Sequence, residues 1–183
     1  MYKECVSKAA ISRQREIEEG LLQYMSHKAY EDITVIELCN KLDIPRKAFY
    51  RYFSNKEGAL YALIDHTILE LSQDFLENKG SYANNVEIMT SFFNYWLKKE
   101  GLLSALYSNN LSGMLLQRAI AFTMNNEDIV KLIAPLQITQ RAKRYITIFL
   151  ISGIMSLVIQ WHHNQFDKTP EQMAQLAVEL LPY

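Results

Sequence analysis

Apolar positions along this chain repeat at helical spacing almost throughout. Within residues 11–25, Ile17, Leu21, Leu22 and Met25 share one face of a 3.6-residue repeat. Val35, Leu38, Cys39 and Leu42 repeat that pattern over a short segment. Leu60, Leu63, Ile64, Ile68, Leu71, Phe75 and Leu76 carry it along a third, longer helix at about 56–78. Gly80 and the polar stretch 81–85 then interrupt it, marking the best subdomain boundary. Beyond the break, the spacing predicts helices at about 86–100, 102–108, 111–125, 128–134, 138–164 and 170–181. Thr34-Val-Ile-Glu37 and Ser54-Asn-Lys-Glu57 both fit the capping box, in which hydroxyl and carboxylate satisfy orphan N–H groups reciprocally. Thr169-Pro-Glu-Gln172 adds a proline at the first helical position, where its missing N–H costs nothing.

Composition narrows the class. Of 183 residues, 49% are hydrophobic, enough for a packed core and against wholesale disorder. Six glycines and four prolines are too few for an all-β chain, and with the helical periodicity throughout the expected fold class is all-α. No two of those glycines are close enough to build a dinucleotide or P-loop phosphate cradle. Cys5 and Cys39 lack metal-ligand spacing and suggest no disulfide framework, which points to a reducing, cytoplasmic compartment. Residues 1–16 hold no apolar run of the signal-peptide kind. The most hydrophobic stretch, 146–159, falls short of the roughly 18–20 residues needed to span a bilayer. It reads as a buried helix, and no membrane partner is expected.

The net charge of −1 conceals a local concentration. From Lys41 to Lys56 there are five cations, Lys41, Arg46, Lys47, Arg51 and Lys56, against the single anion Asp43. This basic segment coincides with a short capped helix from Thr34 to Lys41, a tight break at Leu42-Asp43-Ile44, and a second short helix opening at Pro45. Phe49 and Phe53, four apart, face inward from that second helix. Short helix, tight turn, short helix is the helix-turn-helix arrangement, whose second helix enters a DNA major groove. Clustered cations there suit phosphate neutralisation.

The residues Thr34-Val35, Glu37-Leu38 and Ile44-Pro-Arg-Lys-Ala-Phe49-Tyr50-Arg51-Tyr52-Phe53-Ser-Asn-Lys56-Glu57 resemble the DNA-binding signature of tetracycline-repressor (TetR) family regulators. The resemblance covers roughly residues 9–66. It implies an N-terminal three-helix DNA-binding domain, a larger C-terminal helical domain for ligand binding and dimerisation, and a homodimer on double-stranded DNA. On this chain those domains are expected at 1–55 and 56–183, connected by the helix at 56–78. The resemblance also implies that Thr34, Tyr50, Tyr52 and Lys56 hold phosphates while the start of the second helix reads bases. Arg46 there suits a bidentate contact to guanine, Lys47 suits a phosphate or a base, and Arg51 completes the basic set. The N–H groups after Ser54, with Lys56, suit a phosphate. Asp43 stands where such turns usually carry Gly. Pro45 and Ala48 replace commonly hydroxylated residues, Lys47 an often-Gly position, and Ala29 a common helix-ending Gly.

The region after Asn78 shows no catalytic motif, so no enzyme and no cofactor are expected. His162 and His163 point about 100° apart on a helix and cannot share a metal from one face. His163 and Asp167 read as a surface pair, and His27 and His66 stand alone. Phe92, Phe93, Tyr95, Trp96, Tyr107, Met114, Phe122 and Met124 are large soft side chains. Each reads individually as core filling. The family resemblance adds that some would line a mostly apolar pocket for an unknown small-molecule effector, with Phe92, Trp96 and Tyr107 favoured. Ile146, Phe149, Leu150, Gly153, Ile154, Leu157 and Val158 form a stripe too broad for a helix with one wet face. Met173, Leu176, Ala177 and Leu180 form another. Two such helices from each protomer would bury both stripes in an isologous four-helix bundle, placing Phe149, Gly153, Leu157, Met173, Leu176 and Leu180 at a dimer interface. The expectation is a homodimeric, ligand-responsive repressor on a pseudo-palindromic operator. The alternative is a helical adaptor or co-activator that keeps the fold without sequence-specific operator binding.

Overall fold

The computed structural model describes residues 1–78, 80–126 and 139–180. Among them are nine α-helices and no strand. These are α1 (Lys8–Met25), α2 (Val35–Lys41), α3 (Arg46–Tyr52), α4 (Lys56–Asn78), α5 (Asn85–Lys98), α6 (Glu100–Ser108), α7 (Ser112–Met124), α8 (Gln140–His163) and α9 (Pro170–Leu180). A 3-10 turn, Tyr30–Asp32, links α1 to α2. The expected helix at 128–134 lies outside the described residues.

Short polar side chains set the helix starts. Ser7 accepts from the Ala10 N–H at 3.3 Å, Asn84 from Glu87 at 3.0 Å, and Thr139 from Ala142 at 3.3 Å. The Thr34–Glu37 capping box forms in full. So does the reciprocal pair Thr169–Gln172, with bonds of 2.9 and 3.3 Å. The box expected at Ser54 does not form. Asn55 Oδ1 accepts from the Gly58 N–H at 2.8 Å, one residue later, while the Ser54 hydroxyl turns to the Met1 carbonyl at 3.0 Å.

Two helix pairs organise the packing. In the first half, α1 lies on α4 and α2 bridges α1 and α3, over a core of Ile17, Leu21, Leu38, Phe49, Phe53, Leu60 and Ile64. Gly20 permits a close approach of α1 to the end of α2. A Cβ there would sit 2.7 Å from a Leu42 methyl. The break between α2 and α3 turns at Asp43, whose φ of 49° is left-handed; a short polar side chain tolerates that region better than most. In the second half α9 packs along α5 and α7 along α8, around Phe93, Trp96, Leu106 and Trp161. Left-handed Gln165 and Phe166 reverse the chain between α8 and α9, and the Trp161 Nε1–H donates to the Lys168 carbonyl at 3.0 Å.

The last two helices correct part of the sequence reading. Met173, Ala174 and Ala177 are buried within the protomer, on the helix that packs along α5. Met173 is therefore core, and with Ala177 it is covered without a second chain, while Leu176 stays half-buried and Leu180 exposed. The segment 142–163 of α8 is long and apolar enough, by length and composition, to cross a membrane, longer than the 146–159 run alone suggested. One side of it, Leu150, Ile154, Met155, Val158 and Trp161, is buried against the rest of the protomer.

Candidate nucleic-acid interface

The helix-turn-helix is built from short-range bonds that leave one face of α3 outward. Phe49 and Phe53 are buried, with ring centroids 5.3 Å apart, and they anchor α3 to the core. The opposite arc presents Arg46, Lys47, Tyr50 and Arg51, all exposed, with Tyr50 47% accessible. The Arg46 guanidinium lies 5.9 Å from the Tyr50 ring centroid, so cation and ring share one surface. Lys47 and Arg51 enter no ion pair among the described residues. At the end of α2, exposed Lys41 lies 4.5 Å over the Tyr24 ring.

The other expected phosphate contacts bond within the protein or are buried in it. Thr34 is occupied by its own helix: Oγ1 accepts from the Glu37 N–H at 3.2 Å and donates to Glu37 Oε2 at 2.9 Å. Lys28 donates to Glu37 Oε1 at 2.7 Å. The Lys28 ammonium and the Thr34 N–H and hydroxyl together hold the Glu37 carboxyl down at about 2. Tyr52 is buried beside Phe53. Lys56 donates to the carbonyls of Tyr30, Glu31 (3.2 Å) and Ile33 (2.7 Å), and its ammonium lies 4.2 Å over the Tyr30 ring. An ammonium has three donors, and these are all satisfied inside the protein. The same burial lowers the Lys56 pKa. Near this helix start the Gly58 amide is engaged by Asn55 and the Ser54 amide by Met1.

Phe92 and Trp96 come together in a buried aromatic run with Phe93, flanked by half-buried Phe75; the Phe92–Trp96 centroids are 6.4 Å apart. The Trp96 Nε1–H and the Thr147 hydroxyl are buried and have no hydrogen-bond partner among the described residues. Tyr107 does not join them. It is 44% exposed, and its hydroxyl meets His163 Nδ1 at 2.5 Å, while Ser104 meets His162 Nε2 at 2.9 Å. Desolvation against these neighbours lowers the His162 pKa.

On α8 the outward arc carries Tyr145 and Phe149, 65% and 69% exposed, followed by Gly153, Ser156 and Gln160. Leu180 is exposed, and Leu157 and Leu176 are half-buried.

Two buried carboxylates escaped the sequence reading. Glu18 receives His66 Nδ1 at 2.9 Å and Arg15 at 3.2 Å, so His66 is paired. Asp65 receives Arg118 Nε at 2.7 Å, a second bond from Arg118 Nη2, and the Tyr2 hydroxyl at 2.7 Å. The available signal was positional. Glu18 follows Ile17 on the α1 core stripe, and Asp65 stands between Ile64 and Ile68 on α4; a charge there requires a buried partner.

A helix-turn-helix with an outward basic face, joined to a helical region with an apolar outer stripe, defines the class of transcriptional regulators. Residues 83–183 match the family model described as "Transcriptional regulator C-terminal region", of the TetR type. The chain belongs to this family. Solved structures of the same fold include Lin0861 from Listeria innocua, with a TM-score of 0.70 and 16% identity over 98% of this chain and 94% of that one. A TetR transcriptional regulator from Streptococcus agalactiae 2603V has a TM-score of 0.66 at 15% identity, over 95% and 96% of the two chains. The dihydroxyacetone kinase operon activator DhaS has a TM-score of 0.62 at 18% identity, over 93% and 94%. Comparison with curated protein sequences gave no match.

Proposed function

We propose that this regulator binds a pseudo-palindromic operator as a cytoplasmic homodimer, inserting α3 into successive major grooves and releasing DNA when a small molecule occupies its C-terminal helical region. The observation that carries the reading is the outward arc of α3, where Arg46, Lys47, Tyr50 and Arg51 stand together over a buried aromatic base. Arg46, at the N-terminal end, suits the base edge, and the three others suit phosphates. Because Tyr52 and Lys56 serve the fold, the proposed contact set is smaller than the family signature implies, with exposed Thr34 kept beside the α3 arc. The dimer would use the α8 stripe around Phe149 and Gly153, with Leu157, Leu176 and Leu180 at its margin. Two-fold symmetry through that stripe sets the spacing of the α3 helices, which must be roughly 34–36 Å to meet successive grooves. An effector acts only through its difference in affinity between the two spacings.

The test is fluorescence anisotropy on a fragment carrying the protein's own promoter, at several salt concentrations. Lys47→Ala and Arg51→Ala are each expected to lower the salt slope by roughly one unit per lost phosphate contact. Equal, salt-insensitive binding by wild type and variants would overturn the reading. It would favour an adaptor role instead, a second reading supported by the burial of Tyr52 and the engagement of Lys56 within the fold. The sign of regulation follows from a promoter reporter: repression predicts higher expression on deletion of the regulator, whereas activation, the role named for the similar DhaS structure, predicts the reverse.

A further inference from the structure

We infer that residues 1–3 form a strap that positions the recognition helix, and that Arg118 of α7 holds this strap in place through Asp65. The inference rests on α3 being the DNA-reading helix.

At one end the strap grips the close of α3. The Lys3 N–H donates to the Tyr52 carbonyl at 2.9 Å, and Tyr2 and Phe53 form an isolated antiparallel bridge. The Met1 carbonyl accepts from the Ser54 N–H at 3.1 Å and from its hydroxyl at 3.0 Å. The last carbonyls of a helix have no intrahelical partner, so the Lys3 amide acts here as a C-terminal cap supplied from outside the helix. From α1, Gln14 Nε2 donates to the Lys3 carbonyl at 3.2 Å. At the other end the Tyr2 hydroxyl donates to Asp65 Oδ2, and its ring meets His66 edge-on at 5.5 Å. Burial and the Asp65 carboxylate push the Tyr2 phenol up, which keeps it a donor at neutral pH.

Asp65 is buried on α4 and is shared. The Arg118 guanidinium reaches both of its oxygens from α7, the two-pronged geometry that fixes a carboxylate in one plane. A shift of α7 therefore changes the acceptor that Tyr2 depends on. The line of bonds runs from α7 through Arg118, Asp65 and Tyr2 to the backbone that caps α3. Gly58 provides the space for it: a Cβ at that position would lie 2.5 Å from the Met1 carbonyl oxygen, which is backbone. Tyr2, Asp65 and Arg118 are positioning residues, since none lies on the outward basic arc.

The experiment compares wild type with Tyr2→Phe, Gly58→Ala, Arg118→Leu and the conservative Arg118→Lys. Amide hydrogen exchange of Lys3 and Ser54 is followed by NMR in the DNA-free full chain, beside promoter-fragment affinity across salt and the thermal midpoint. Gly58→Ala favours the helix while displacing the strap, which separates strap loss from loss of stability. Faster Lys3 and Ser54 exchange is expected in the first three variants. Affinity should fall roughly tenfold with an unchanged salt slope, and Arg118→Lys should recover part of it. Wild-type exchange rates in Arg118→Leu, or wild-type affinity in Tyr2→Phe and Gly58→Ala, would overturn the strap. A reduced salt slope in Tyr2→Phe would overturn it too, by marking a direct phosphate contact. Wild-type protein that binds no fragment defeats the DNA reading instead, while the exchange rates still decide whether Arg118 holds the strap.

Discussion

Lys56 stands in the DNA-binding signature, yet its ammonium closes the 3-10 turn by binding the carbonyls of Tyr30, Glu31 and Ile33. Replacing it with Met is expected to destabilise the fold by about 1–3 kcal/mol, because those carbonyls lose a charged donor. Urea denaturation measures this, and the salt slope of DNA binding should stay at the wild-type value. Glu37 gives a pH prediction of defined sign. Its carboxyl titrates at about 2 in the folded chain against an ordinary 4.5. The stabilisation is thus present above about 4.5 and is lost as pH falls through about 2. The Thr34 amide shift should follow this loss in an acid NMR titration, and Glu37→Gln should abolish that dependence. The caps at Thr34 and Thr169 were legible because donor and acceptor lie three residues apart. Ser54 was not, since its hydroxyl answers to a carbonyl 53 residues away.

Among the elements, α8 and α9 look alike as apolar stripes and behave differently. Phe149 stands outward, whereas Met173 lies inside the protomer. Phe149→Asp is therefore expected to halve the mass measured by light scattering, with the helix content by circular dichroism unchanged. Met173→Ala should leave the mass at the wild-type value and cost about 2–5 kcal/mol by cavity formation. Periodicity placed the ends of α4 at 56 and 78, and those of α2, α3 and α9 within a residue or so, because helix formation depends on neighbours in sequence. Which face of α8 is inward was not legible, since both faces are apolar. The answer lies in α7, which packs along it. Trp96 and Phe92 are aromatic neighbours by virtue of their spacing on α5. Tyr107 was grouped with them on side-chain type alone, and α6 turns it to His163 instead.

Across the whole molecule, polar side chains join the helix-turn-helix to the helices beyond it. Asn109, at the end of α6, accepts from the Tyr30 N–H at 2.5 Å and donates to the Ala105 carbonyl at 2.7 Å. Glu70 on α4 receives Lys99 at 2.8 Å and Arg15 of α1 at 3.6 Å. Asn109→Ala leaves the Tyr30 amide without its acceptor and is expected to lower stability by about 1–3 kcal/mol in chemical denaturation. Such bridges join residues up to 84 positions apart, so no local pattern announces them. The all-α class was legible in the chain, and so was the basic helix. The polar ties between distant helices emerged only from three-dimensional packing.

The pairing of α5 with α9 has a further consequence, during synthesis. Some 70 residues separate these helices, so at about 5–20 residues per second the ribosome delivers the partner several seconds after α5 has emerged. Throughout that interval the face bearing Phe92, Phe93 and Trp96 lacks its native cover. A nascent chain stalled within this stretch is expected to be aggregation-prone and to need chaperone cover.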